Sequence, residues 1–232
     1  MLTADIQHNK KGEVKMRKVA FIILTLTIFL AACADPAADK PKAETKDPTA
    51  KSTEKTGKTK SEPKGTALKI SPENSKIEFT GSKVTRKHEG GFKQFSGVID
   101  MVNEKPEESS VSVEIDMKSV FADPDKLAKH LRTADFFDVE KFPKSTFSST
   151  GIVADEKKGD GNYIVTGDFE LRGVKKSISF PAKIVLDKSD LIVDAEFSIN
   201  RKDFEIKYAG MADDLIRDNV VIRLKFKSPI KK

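Results

Sequence analysis

The chain has 232 residues, a formal net charge of +6, 34% charged residues, one cysteine and no tryptophan, which fits one ordinary domain with attachments. Residues 1–33 hold five Lys/Arg against two Asp/Glu, residues 34–66 eight against six, and residues 67–232 29 against 28. The basic excess lies mostly outside the main domain, which argues against a nucleic-acid partner, and the lone Cys33 excludes an internal disulfide, Cys-based zinc sites and downstream thiol chemistry.

From Met16 the chain reads Met16-Arg17-Lys18, then an apolar run from Val19 to Ala32 broken only by Thr25 and Thr27, then Cys33. Such a run covers roughly 21 Å as a helix, short of the roughly 30 Å hydrocarbon core, so it is expected to be a secretory signal and not a permanent span. Residues 1–15 have no place in such a signal, and translation is expected to start at Met16. Leu30-Ala31-Ala32-Cys33 resembles a bacterial lipobox, which implies residues 16–32 as signal peptide and Cys33 as the lipidated residue. Ala34 stands where an aspartate would retain a lipoprotein at the inner membrane. A cell-envelope location at the outer membrane follows as an expectation, with the domain in the periplasm or at the surface. Residues 34–66 contain four prolines, no aromatics and no apolar residue larger than alanine. They are expected to be a disordered tether with an r.m.s. span of about 30 Å.

The domain is expected over 67–232, where all thirteen phenylalanines beyond the signal lie. Val111, Val113, Ile115 and Met117 alternate with polar residues, as do Val220, Ile222, Leu224 and Phe226. This period of two marks half-buried antiparallel strands. Weaker alternation marks Ile77/Phe79, Phe95–Met101, Phe147–Ile152, Tyr163–Leu171, Ile178–Ile184 and Val193–Ile199, giving about eight strands. Gly159-Asp160-Gly161 and Asp187–Asp190 supply turns. Between the third and fourth strands, Asp123 is placed to cap a short helix with Pro124 first and Leu127 and Leu131 on one face. The fold class is therefore all-β: an eight-stranded antiparallel barrel with one helical excursion. With two tyrosines and no tryptophan, aromatic girdles cannot be built, so the apolar faces point inward and not to lipid.

The run from His130 to Phe147, with His130-Leu131-Arg132, Asp135-Phe136-Phe137-Asp138 and Phe142-Pro143, resembles the signature of the YceI-like family. Gly167-Asp168-Phe169 through Val174 and Asn200-Arg201-Lys202-Asp203-Phe204 add to the match, which spans roughly residues 68–228. The resemblance implies an extended lipocalin-like barrel that binds polyisoprenoid or other long-chain amphiphiles in the periplasm. Glu205 stands where the family usually has glycine, so the rim can differ.

Expected wall residues are Phe79, Ile115, Phe147, Phe169, Phe180, Phe197 and Leu224, each the large member of an alternating apolar face. Arg132, Arg201 and His130 are the candidates for a head group at the mouth, and Arg132 has a competing ion pair with Asp135 and Asp138. Phe136 and Phe137 are expected to plug one barrel end. No histidines stand at metal-ligand spacing beside Asp135, Asp138 and Glu140, and no nucleophile-elbow sequence occurs, so neither a metal site nor catalysis is expected. The function expected is binding, storage or transfer of a long-chain isoprenoid or similar lipid, with the lipid as ligand and no cofactor. The rival is a structural or adhesive lipoprotein with a solid core. The partners expected are a hydrophobic lipid and the membrane, with a homodimer left open.

Overall fold

The structure is a computed structural model that describes residues 34–48, 64–187 and 189–230; Cys33 and the leader before it lie outside the described residues. Fourteen strands are described: β1 (Glu44–Lys46), β2 (Thr66–Ile70), β3 (Ser75–Ser82), β4 (Lys87–Phe92), β5 (Phe95–Met101), β6 (Ser110–Asp116) and β7 (Val120–Ala122) precede the break. After helix α1 (Asp125–Leu131) come β8 (Lys144–Ala154), β9 (Asn162–Leu171), β10 (Val174–Leu186), β11 (Asp190–Asn200), β12 (Gly210–Met211), β13 (Asp214–Leu215) and β14 (Asn219–Pro229).

One sheet runs β2-β5-β6-β8-β9-β10-β11-β14-β3-β4-β7, with β1 added against β10, and β12–β13 form a separate ribbon. The antiparallel β-barrel expected from the sequence holds, and its eight alternating segments are β3, β5, β6, β8, β9, β10, β11 and β14. All eight contribute to a single core and to the wall of one internal cavity, so the sheet is rolled around it. Strands β1, β2, β4 and β7 were not expected. In β4 the pair Gly90-Gly91 carries no alternation, and a Cβ on Gly90 would sit 2.6 Å from the Phe79 ring and 2.4 Å from the Phe121 carbonyl oxygen. The strand is glycine because the chains approach too closely for anything else. The β9–β10 hairpin turns on Arg172 and Gly173, both at positive φ (53° and 73°), as a two-residue turn of this twist requires.

Helix α1 starts at Asp125, with Pro124 in the cap position and no side-chain cap, so Asp123 does not play the role expected of it. Instead the Asp123 carbonyl oxygen is 3.0 Å from His88 Nδ1.

The largest departure lies in residues 34–48. They were expected to belong to a disordered tether, yet this part lies against the barrel wall. Strands β10 and β11 pair only from Leu186/Leu191 to Lys183/Asp194 and then diverge. Ile184 N–H donates to Gly161 O on the β9 side, so by strand alternation the amide position of Pro181 faces β11, where proline has no donor. Strand β1 fills the resulting wedge, pairing Glu44 with Ser179 and Lys46 with Ser177. On the other side Ala43 N–H donates to Ser198 O and Ser198 N–H to Pro41 O, both at 2.8 Å. Ala37 and Ala43 are buried, and Ala43 belongs to the core. Backbone pairing and two small side chains leave no periodic signal in a sequence, which explains why the polar composition gave no warning of this seat.

Ion pairs fasten this strap: Asp35–Arg217 at 3.5 Å, Lys40–Glu196 at 3.2 Å and Asp47–Lys176 at 2.7 Å. The Lys176 hydrogen bond and charge hold the Asp47 carboxyl below its ordinary 3.8, and hydrogen bonds from Arg223 and Lys40 hold Glu196 below 4.5 against its burial. Both folded-state values are depressed. The contribution of these carboxylates to seating is therefore complete above the ordinary values and lost as pH falls below them. Protection factors of the Ala43 and Ser198 amides in hydrogen exchange should fall between pH 5 and about pH 3 while those of core strands stay high; equal retention at both pH values would show that the ion pairs do not hold the strap.

Candidate functional site

The barrel interior holds two apolar cavities arranged end to end. The first, about 140 Å³, reaches Met101, Pro106, Ser109 and Ile184 at one end of the barrel. The second, about 150 Å³, lies under α1 and the loops after β11, with Leu127, Leu131, Phe136, Phe137 and Ile206 in its wall. Five residues, Phe92, Ile115, Phe169, Ile199 and Ile222, line both and form the partition between them.

Of the expected wall residues, Ile115, Phe147, Phe169, Phe180, Phe197 and Leu224 line the first cavity, and Phe79 lines the second. Phe180 and Phe197 stack at 4.2 Å between ring centroids across the gap where β10 and β11 separate, closing the wall inside the strap. Phe136 is buried and packs on Tyr208 at 5.4 Å, whereas Phe137 is only half-buried and meets Phe92 at 6.1 Å. The expected plug is thus also the wall of a cavity.

The head-group candidates are placed differently from expectation. Arg201 is 4% exposed and lines the second cavity, but its guanidinium donates to the carbonyl oxygens of Ile206 (2.6 Å), Arg217 (3.1 Å) and Ile216 (3.3 Å) and pairs with Asp218. Burial pushes its pKa below the ordinary guanidinium range, opposed by the charge of Asp218. Its donors are spent on fixing the 206–218 loop. Arg132 does not pair with Asp135 or Asp138; it donates to the carbonyl oxygens of Lys118 and Val120. His130 binds Asp135 at 2.8 Å and packs edge-on against Phe136 and Tyr208, away from both cavities. Arg172 likewise ties loops together, donating to Glu205 O and Ala134 O. Glu205 adopts φ 58°, the left-handed region that favours glycine, and its backbone is held there by this bond.

Polar residues that the sequence did not single out stand at the second cavity. Ser82 is buried, lines it, and its hydroxyl has no hydrogen-bond partner. Lys83 and His88, on either side of the β3–β4 turn, line the same end. The alternation of β3 breaks at Phe79 and Thr80, both buried, and Ser82 is buried in step with Thr80. A buried hydroxyl left unpaired in a wall that is mostly apolar invites a polar group on whatever fills the cavity. Among the described residues the histidine hydrogen bonds go to Asp123 O and to the Asp135 carboxylate, neither of them a hydroxyl or thiol that a histidine would activate, and no cluster of three metal-ligating side chains occurs. Among the described residues, too, no helix is long and apolar enough to cross a membrane.

The model of the YceI-like domain matches residues 68–228. Protein YceI of Escherichia coli is 36% identical over 124 residues, covering 51% of this chain and 63% of the relative. A UPF0312 protein of Pseudomonas putida is 34% identical over 127 residues, covering 52% and 65%. The aligned part thus spans less than two thirds of these relatives. Among solved structures, BcnA of Burkholderia cenocepacia superposes with a TM-score of 0.60 at 22% identity, covering 66% of this chain and 95% of that one. A polyisoprenoid binding domain from Saccharophagus degradans superposes at 0.56 with 17% identity, covering 71% and 98%. With the domain match spanning the barrel from β2 to β14 and the same fold in these structures, the chain belongs to the YceI-like family.

Proposed function

We propose that the barrel binds one long-chain amphiphile, isoprenoid in type, with its chain along the barrel axis and its polar end at Ser82, Lys83 and His88. The observation that carries this is the pair of apolar cavities separated by only five side chains, with Ser82, whose buried hydroxyl is unpaired, among the residues that line the second. The polyisoprenoid binding domain of the same fold supports the ligand class. A cavity of about 150 Å³ is benzene-sized, so a long chain runs through both once the partition side chains swing aside. Each buried methylene is worth about 0.8 kcal/mol, part of which offsets the chain's lost freedom. Nothing in either cavity pairs a nucleophile with a base, which favours holding or transfer over covalent chemistry.

Titration of the purified, delipidated protein with a long-chain isoprenoid alcohol and with the corresponding saturated hydrocarbon tests this. The alcohol should bind more tightly, and Ser82→Ala should remove about 1 kcal/mol of that preference without changing the affinity for the hydrocarbon. Equal affinities in the wild type would mean that no polar end is recognised at Ser82.

We further propose that the mature protein is anchored in the cell envelope through lipidated Cys33, on the strength of the Leu30–Cys33 sequence. One acyl chain holds a protein only marginally, so more than one is expected. Cys33→Ser should move the protein from the membrane fraction to the soluble fraction, and retention in the membrane would contradict the anchor.

A further inference from the structure

The strap fixes where an anchor on Cys33 must emerge. Asp35 is tied to Arg217, and only Ala34 stands between Asp35 and Cys33 in the sequence. Arg217 belongs to the end of the barrel where β11 gives way to Asn200–Arg201 and β14 begins at Asn219, opposite Asn200. The β3–β4 turn is at the same end, because Val221 of β14 pairs with Thr80. So is the second cavity: Arg201, which lines it, donates to the Arg217 carbonyl oxygen.

This end also carries exposed apolar side chains that no core contact explains. Met211 is 64% exposed, Val84 54% and Leu215 49%. They lie on the β12–β13 ribbon and the β3–β4 turn, which are joined by Val84 N–H donating to Leu215 O. Their charged neighbours are largely neutralised, Asp214 by Lys83 and Arg217 by Asp35. Asp213 at the tip of the ribbon and Arg86 in the β3–β4 turn carry opposite charges, so the patch as a whole is near neutral. Exposed apolar groups at the end of the barrel that holds the second cavity, with balanced charge around them and a lipid attachment point close by in the sequence, match a zwitterionic bilayer surface.

We propose that this end of the barrel rests on the bilayer, with the Met211–Leu215 ribbon and the Val84 turn in the interfacial layer and the second cavity opening toward the lipid. The placement rests on lipidation of Cys33, and it adds to that reading a fixed orientation in place of a loose tether. Ligand would then pass between bilayer and cavity without crossing water.

The test uses the full chain, matured and acylated in a bacterial host and reconstituted in phosphatidylcholine vesicles containing headgroup-quencher lipid. Acylation consumes the native thiol, so Met211→Cys, Leu215→Cys or Val153→Cys each supplies one site for a fluorophore. Val153 is a matched control, 65% exposed and apolar but near the opposite end, next to the β8–β9 turn. Quenching at 211 and 215 should exceed that at 153 severalfold. Inserting about ten Gly/Ser residues after Cys33, a span of roughly 17 Å, should reduce the difference while leaving the protein membrane-bound. Equal quenching at the three sites in protein of verified acyl mass would overturn the orientation, and unchanged quenching after the insertion would overturn the strap as its cause. Absence of acyl mass on Cys33 would remove the anchor and the placement together. The readout needs no ligand in the cavity, so it is independent of the binding reading.

Discussion

Replacing Phe204 with alanine should destabilise the domain by about 3–5 kcal/mol, the largest loss expected of any single truncation in this chain. Phe204 is 0% exposed at the end of a 3₁₀ turn, Arg201–Phe204, and its ring meets Phe169 edge-on at 5.2 Å. Removing it opens a void beneath the loop that Arg201 holds, and it takes away the support of Phe169 in the partition between the cavities. The surrounding strands are pinned by their ladders and cannot collapse into the space. Denaturant unfolding should show a lower midpoint with an unchanged m value. Phe121→Ala, at a ring that is 38% exposed, should by contrast cost less than about 1 kcal/mol. Comparable losses at the two positions would mean that the loop after β11 is not part of the packed core.

Ile115→Trp should reduce the affinity for a long-chain ligand at least tenfold while costing only about 1–3 kcal/mol of stability. Ile115 is the place where one substitution reaches the whole lumen, since it lines both cavities. An indole there fills the passage between them, and the ligand's chain would have to stop at the first cavity or the second. The two empty spaces give the larger ring somewhere to go, which is why the stability cost stays moderate. A collapse of stability by more than about 5 kcal/mol would show that the interior has no such room. Unchanged affinity together with retained stability would show that the chain does not pass through the partition.

What the sequence makes legible is period-two burial. Strands such as β6 and β14 announce themselves because every second residue is large and apolar and faces the lumen, and the same alternation supplies the wall residues. The parts it hides are those held by backbone. Strand β1 and the residues before it are held by main-chain pairing, the small side chains of Ala37 and Ala43 and ion pairs, and a Pro, Lys and Thr composition gives no periodic signal for that. Strand β4 is hidden because Gly90 must be small. Arg132 and Arg201 look like rim cations because charge usually seeks water, yet both donate to carbonyl oxygens that loops leave unpaired, a partnership that residue type alone does not reveal. Ser82 is hidden by a break in alternation that needs the register of β3 and β14 to locate. Glu205, which departs from the family's glycine, shows its meaning only through its positive φ.

Uptake of a long-chain amphiphile by the lumen can be measured by organic extraction of the natively purified protein followed by mass spectrometry, with Ile115→Trp prepared in parallel. A long-chain amphiphile at close to one molecule per barrel is expected in the wild type and little or none in the variant. Wild-type protein that is free of extractable lipid and fails to take up an isoprenoid probe would contradict such uptake and leave a solid-core structural lipoprotein as the better description.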